Sequence, residues 1–157
     1  MLHMKTYTKF IKKENIKKYC EVLKNIDSQC FGPNDEQYDF SGNKDGATHY
    51  WWITYETESQ KPIAYAGLKI YKSKINAFLC RAGVLKKYRG LGLHKKLLNK
   101  RIEFCKKYGI KYIYTYTSVE NIRSANNILK NKFKITEPWF LCSNQKDFYY
   151  FVKEIWT

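Results

Sequence analysis

The chain has 157 residues, 44% of them hydrophobic and 17% aromatic, and a formal charge of +15 at pH 7. That is the length of a single domain, 1–157, and so much apolar content excludes an intrinsically disordered polypeptide. No apolar run approaches the ~20 residues that span a bilayer and no secretory leader pattern follows the start, so a soluble cytoplasmic protein with no membrane partner is expected.

In chain order, Lys5–Ile11 alternates and predicts a first strand. Glu14–Ile26 carries Ile16, Tyr19, Cys20, Leu23 and Ile26 on one helical face with Lys outside. Gly32–Gly46 is acidic and turn-rich, the longest loop and a candidate wall for a substrate site. Three strands follow at His49–Glu56, Pro62–Tyr71 and Ala77–Leu85, with gaps short enough for antiparallel hairpins. Gly90–Tyr108 predicts a helix with Leu93, Leu97, Leu98, Ile102 and Cys105 inward, closed by Gly109. Tyr112–Thr117 is a strand expected to run parallel to the one before the helix. Ser124–Asn131 is a short helix, and Trp139–Cys142 with Phe148–Ile155 form a closing hairpin. The order predicts a three-layer α/β fold on one mixed sheet.

Cys20, Cys30, Cys80, Cys105 and Cys142 are odd in number and widely spaced, and the three His are scattered, so reduced thiols and no metal site are expected. The charge suits a polyanionic partner, either nucleic acid or a phosphorylated cofactor. Nearly all the cations are Lys, however, and a Lys-, Asn-, Ile- and Tyr-rich composition also follows from an AT-rich coding sequence.

The run VLKKYRGLGLHKKLL, residues 84–98, is the most informative stretch. A helix starting near Gly90 leaves its first N–H groups without partners, and its dipole favours an anion there. Gly90 and Gly92 let a ligand approach the main chain, and Lys86, Lys87, Arg89 and Lys95 surround the point with charge. The Walker pattern is absent, and the third glycine and ribose-binding acid of a dinucleotide fold are missing.

The run AGVLKKYRGLGLHKKLL resembles the coenzyme A signature of the GNAT N-acetyltransferase superfamily, R/Q-x-x-G-x-G/A. Arg89 takes the first position, Gly92 the central glycine, and His94 the last, where Gly or Ala is usual. SVENIRSANNILKNKFKITEP resembles the second signature: Asn121, Ser124, Lys130 and Phe133 match, and Lys132 replaces a glycine. The wording AGV…RGxGL…SANN is similar to a subset of phage- and prophage-encoded members.

The resemblance implies a mixed sheet in which an antiparallel meander meets a parallel strand pair splayed around the cofactor. It also implies acetyl transfer from acetyl-coenzyme A to a primary amine, by direct attack in a ternary complex. Arg89, Gly90, Leu91, Gly92, Leu93 and His94 would hold the pyrophosphate, with Lys87 beside them. Gly83 and Val84 would pair with pantetheine, with a bulge expected at Gly83, and Asn121 and Ser124 would lie near the same arm. The family's motif Tyr, a general acid, falls on Ile128, which has no proton to give. Tyr116 is the substitute candidate, with sheet packing as its other reading. Glu56, Glu58, Glu120 and His49 are candidate bases, each also readable as an ordinary surface or strand residue. Of Tyr50, Trp51 and Trp52, alternate members face opposite ways, so one belongs to the core and another could wall the acceptor pocket.

The acceptor is a small-molecule or protein amine, and homodimers are common among similar proteins. Two other readings stand beside this one: a nucleic-acid-modifying enzyme on the same fold, suggested by the charge, and a non-catalytic binding or inhibitor protein, suggested by Ile128.

Overall fold

The computed structural model describes residues 3–32, 38–41, 46–138 and 147–155. The elements are β1 (Thr6–Ile11), α1 (Ile16–Phe31), β2 (Thr48–Glu56), β3 (Pro62–Ile70), β4 (Asn76–Val84), α2 (Leu93–Lys107), β5 (Tyr112–Ser118), α3 (Ile122–Lys130), β6 (Lys134–Thr136) and β7 (Phe148–Glu154). They make one seven-stranded sheet in the order β1-β2-β3-β4-β5-β7-β6, in which β4 and β5 are the parallel pair. The mixed α/β architecture is the one expected from the sequence.

Successive residues of β2 show how the layers form. Trp51 packs against Phe40 and Tyr65 on the face that α1 covers, while Trp52 meets Phe104 of α2 on the other. Both indoles are buried, so the Tyr50–Trp52 cluster is core on both faces. On α2 the predicted stripe is inward: Leu93, Leu97, Leu98, Ile102 and Cys105 are all buried. Each such leucine contributes about 1.5–3 kcal/mol by leaving water. Gly109, at φ 70°, ends the helix with the Ile110 N–H donating to the Cys105 carbonyl, the left-handed stop its position predicts.

Four features differ notably from expectation. Helix α2 begins at Leu93, not Gly90, because Gly90 and Gly92 hold φ of 83° and 78°, which no right-handed helix accepts. Helix α1 runs five residues past Ile26 because Asp27, in place of ending it, is buried against Tyr65 and Arg81. A short edge strand, β6, pairs with β7 where none was predicted; three residues before a proline carry no readable alternation. The bulge lies at Cys80–Arg81 opposite Gly67, since Ala66 pairs with Ala82 but Leu68 with Leu79. Gly83 serves a different need, because a Cβ there would lie 2.9 Å from both Cys30 Sγ and Tyr65 Cε1.

The predicted strand Trp139–Cys142 and most of the 32–46 loop fall outside the described residues. Of that loop, Phe40 is 1% exposed and packs on the core. No helix among the described residues is long and apolar enough to cross a membrane.

Candidate active site

The site begins where β4 ends. Val84 leads into a short 3-10 turn at Lys86–Tyr88, then through two left-handed glycines into α2. The first main-chain hydrogen bond of α2 is Lys96 N–H to the Gly92 carbonyl, 3.0 Å. The N–H groups of residues 90–95 find no acceptor among the described residues. A Cβ built on Gly90 or Gly92 would meet nothing within 4 Å, so the ledge is open. These amides face a cavity of about 610 Å³, with Arg89, Lys95, Arg123 and Lys130 in its wall. A helix start with free donors, a favourable dipole and four cations is a place for a phosphorylated ligand.

Arg89 is doubly engaged. Its Nε donates to the Val84 carbonyl at 3.0 Å, tying the turn to the strand end and leaving the terminal nitrogens without a partner among the described residues. The same bond shows which way Val84 faces. The Leu85 N–H donates toward β3, to the Ile63 carbonyl at 2.9 Å. The neighbouring Val84 groups therefore point to the opposite edge, toward β5.

That edge is open. β4 and β5 pair only at Asn76–Tyr112, Ala77–Ile113 and Phe78–Tyr114, although β4 continues to Val84 and β5 to Ser118. The last tie is the Thr115 hydroxyl, which donates to the Leu79 carbonyl at 3.2 Å. Beyond it lies a second cavity of about 930 Å³, passing through the sheet. The two cavities share Phe31, Ala82, His94, Asn121 and Ser124, so they form one groove from helix tip to splayed strands.

Burial and the nearby Arg101 guanidinium push the His94 imidazole down to about 4, so it is neutral at pH 7. Burial holds the Cys30 thiol at about 11, which keeps it protonated. Asn121 caps α3, its side chain accepting from the Ser124 N–H at 3.1 Å. On the far side of β4, Asp27 accepts from the Tyr65 hydroxyl and from Arg81 Nε, the latter at 2.8 Å. The Tyr65 hydroxyl is pushed well above its ordinary range, chiefly by burial and then by Asp27, so it stays a donor.

Val84, Arg89, Gly90, Gly92, Leu93, His94, Asn121 and Ser124 all line the smaller cavity. Gly83, Lys87 and Leu91 do not: Gly83 packs under α1, Lys87 lies over the Tyr88 ring, and Leu91 is exposed. Among the catalytic candidates only Tyr116 reaches the groove, stacked on Phe78 in the larger cavity. Glu56 accepts from Ser59 and Tyr88 at one end of β2, and His49 is buried at the other, about 23 Å away by strand rise. Neither lines either cavity, and the exposed Glu58 and Glu120 do not either. Ile128 does line the larger cavity, where the second signature places it.

The sequence reading missed Cys30 and Phe31, which come from the unpredicted end of α1. It also passed over Arg123, and matched Lys130 to the second signature without placing it beside the helix tip. Their spacing of seven on one helix, which puts both on one face, was the available signal.

Residues 6–133 match the family described as the acetyltransferase (GNAT) family. No curated protein matches the sequence. Among solved structures, one of the NatC complex bound to Gag peptide and CoA is 19% identical, with 97% of this chain and 99% of that chain covered at a TM-score of 0.74. The IAA acetyltransferase from Bacillus cereus is 16% identical, covering 96% and 100%, with a TM-score of 0.70. The spermidine/spermine N-acetyltransferase SpeG from Vibrio cholerae is 12% identical, covering 95% and 93%, with a TM-score of 0.69. At these identities the likeness is one of fold.

Proposed function

The chain belongs to the acetyltransferase (GNAT) family, and from that premise we propose that it is an acetyl-coenzyme A-dependent N-acetyltransferase acting on a primary amine. The observation that carries the reading is the continuous groove, which joins an open, donor-rich helix tip to a gap between parallel strands.

The residues present fit the coenzyme. Free amides at residues 90–95 and the cations Arg89, Lys95, Arg123 and Lys130 suit a pyrophosphate and further phosphate. The open edge of β4 offers main-chain groups to an extended, amide-bearing arm, as a sheet edge does to an added strand. When bound, acetyl-coenzyme A supplies an acetyl thioester that a neutral amine attacks.

The Val84 N–H, directed to that edge, is a donor for negative charge developing on a carbonyl oxygen there. Tyr116 carries a phenol in the larger cavity and serves as the proton donor to the departing thiolate, while Ile128 closes the wall and excludes water. A thiol's ordinary pKa of about 8.5 makes that donor helpful but dispensable. Neutral His94, at the junction of the cavities, leaves the phosphate end to the fixed cations. That one structure of this fold is bound to a peptide and CoA, and that another is a spermidine/spermine N-acetyltransferase, supports an amine as acceptor.

Titration calorimetry with acetyl-coenzyme A tests this. Saturable binding is expected. No heat up to about 1 mM, the upper end of ordinary Michaelis constants, from protein with a folded circular-dichroism spectrum, overturns it.

A further inference from the structure

The described part of the larger cavity's wall is basic in a way the acetyl donor does not explain. Lys69 of β3, Arg81 of β4 and Arg101 of α2 all line it. Among the described residues no Asp or Glu lines either cavity. Arg81 has Asp27 behind it, bound through Nε at 2.8 Å and a terminal nitrogen at 3.4 Å, so its charge is matched within the fold.

Arg101 has no such match. It is 2% exposed. Its Nε donates to the Leu97 carbonyl at 3.3 Å and Nη1 to the Gly67 carbonyl at 3.1 Å. It has no carboxylate partner and no further hydrogen bond among the described residues, so Nη2 is left without an acceptor. Burial lowers its pKa only to about 10, so it is a cation at pH 7. A guanidinium buried on carbonyl dipoles alone is unfavourable unless an anion joins it. The cavity it lines is open to a ligand, and its planar fork suits a carboxylate.

Resting on the acetyltransferase reading above, we propose that the acceptor is an amine that also bears a carboxylate, a free amino acid or close analogue, whose acid group is held by Arg101 with Lys69 and Arg81 in the same cavity. The amine is then the end left to face the splayed strands. The aromatic wall of Phe78, Tyr116 and Phe148 accommodates an apolar substituent. A polyamine would bring two or more positive charges to a wall that already carries them.

The test uses matched pairs. Acetyl transfer by the intact protein is measured, by thiol release and mass spectrometry, with free amino acids, with the carboxamide of each, and with spermidine. The expected result is kcat/KM at least about tenfold higher for an acid than for its amide, with spermidine slowest, as for a site that loses a buried charge partner. Arg101→Lys, which keeps the charge but not the fork, should bring that ratio toward one. Lys69→Gln, on a half-buried strand position, should narrow it about threefold and serves if the Arg101 variant does not fold. Equal rates within every pair, a preference for amide or spermidine, or no acceptor acetylated at all while calorimetry shows coenzyme binding would each overturn this proposal and leave the coenzyme reading standing. Absence of coenzyme binding overturns both.

Discussion

At the tip of α2 the groove is floored by main-chain amides, set by two left-handed glycines within one stretch of sequence, with cationic side chains beside them. In the opening between β4 and β5 the main-chain edge of β4 is walled by side chains drawn from elements between α1 and β7. The first region is fixed by local backbone conformation, so it exists as soon as the turn and the helix start form. The second exists only when the sheet is complete, because its walls are distant in sequence. A ledge set by local backbone is thus built independently of the chamber beyond it.

Gly92→Trp should break the first region and spare the second. Its side chain would occupy the ledge that a Cβ now finds empty. Coenzyme affinity should fall by at least about 100-fold, near 2.7 kcal/mol, and calorimetry reads the loss. Because a residue with a side chain is strained at φ 78°, stability should fall by about 1–2 kcal/mol at most. A variant that binds as well as the parent would remove the helix tip from the site.

Tyr116→Phe probes the second region. Removing the phenol should lower kcat by tens of fold with little change in the Michaelis constant for the coenzyme, less than the ~100-fold or more general acids commonly supply, because a thiolate leaves tolerably well unaided. Stopped-assay thiol release at several pH values decides the matter. An unchanged kcat assigns Tyr116 to packing alone.

His94, shared by both regions, links them to pH. Its folded-state value of about 4 lies below the ordinary 6.5, so the unfolded chain binds more protons between these limits. This contribution to stability is complete above about 6.5 and declines as pH falls toward about 4. Urea midpoints at pH 7 and pH 4.5 should differ less in His94→Gln than in the parent.

Lys132 is expected to give the smallest effect. It sits at φ 65° just after α3, where the family signature has glycine, and its N–H donates to the Leu129 carbonyl at 2.9 Å. Lys132→Gly should raise stability by about 1 kcal/mol by relieving left-handed backbone strain. Thermal unfolding measures it, and no gain would mean that the turn tolerates Lys without strain.

The same contrast explains what the sequence disclosed. Residues 84–98 were readable because glycine positions and helix spacing are local signals, and an open, donor-rich helix start followed from them. The start of α2 was placed three residues early because the sequence does not show that both glycines are left-handed. The first helix was bounded at Ile26, since only Arg81 and Tyr65, 54 and 38 residues from Asp27, reveal why that carboxylate belongs inside. Arg101 drew no notice in the sequence, because its burial depends on the Gly67 carbonyl across the sheet. The catalytic candidates fared unevenly for the same reason: alternation along β2 cannot say that Glu56 and His49 fall outside the groove.

Thr115 on the Leu79 carbonyl and Arg89 on the Val84 carbonyl occupy the two ends of the unzipped stretch of β4. An exposed strand edge is an invitation to any passing extended chain, including a neighbouring copy's. With an acceptor claimed at each margin, a long foreign strand finds no place to start its ladder, whereas a short slender guest can still enter between. The two clasps thus cap the slot at both margins and leave the short stretch between them open to a slender guest.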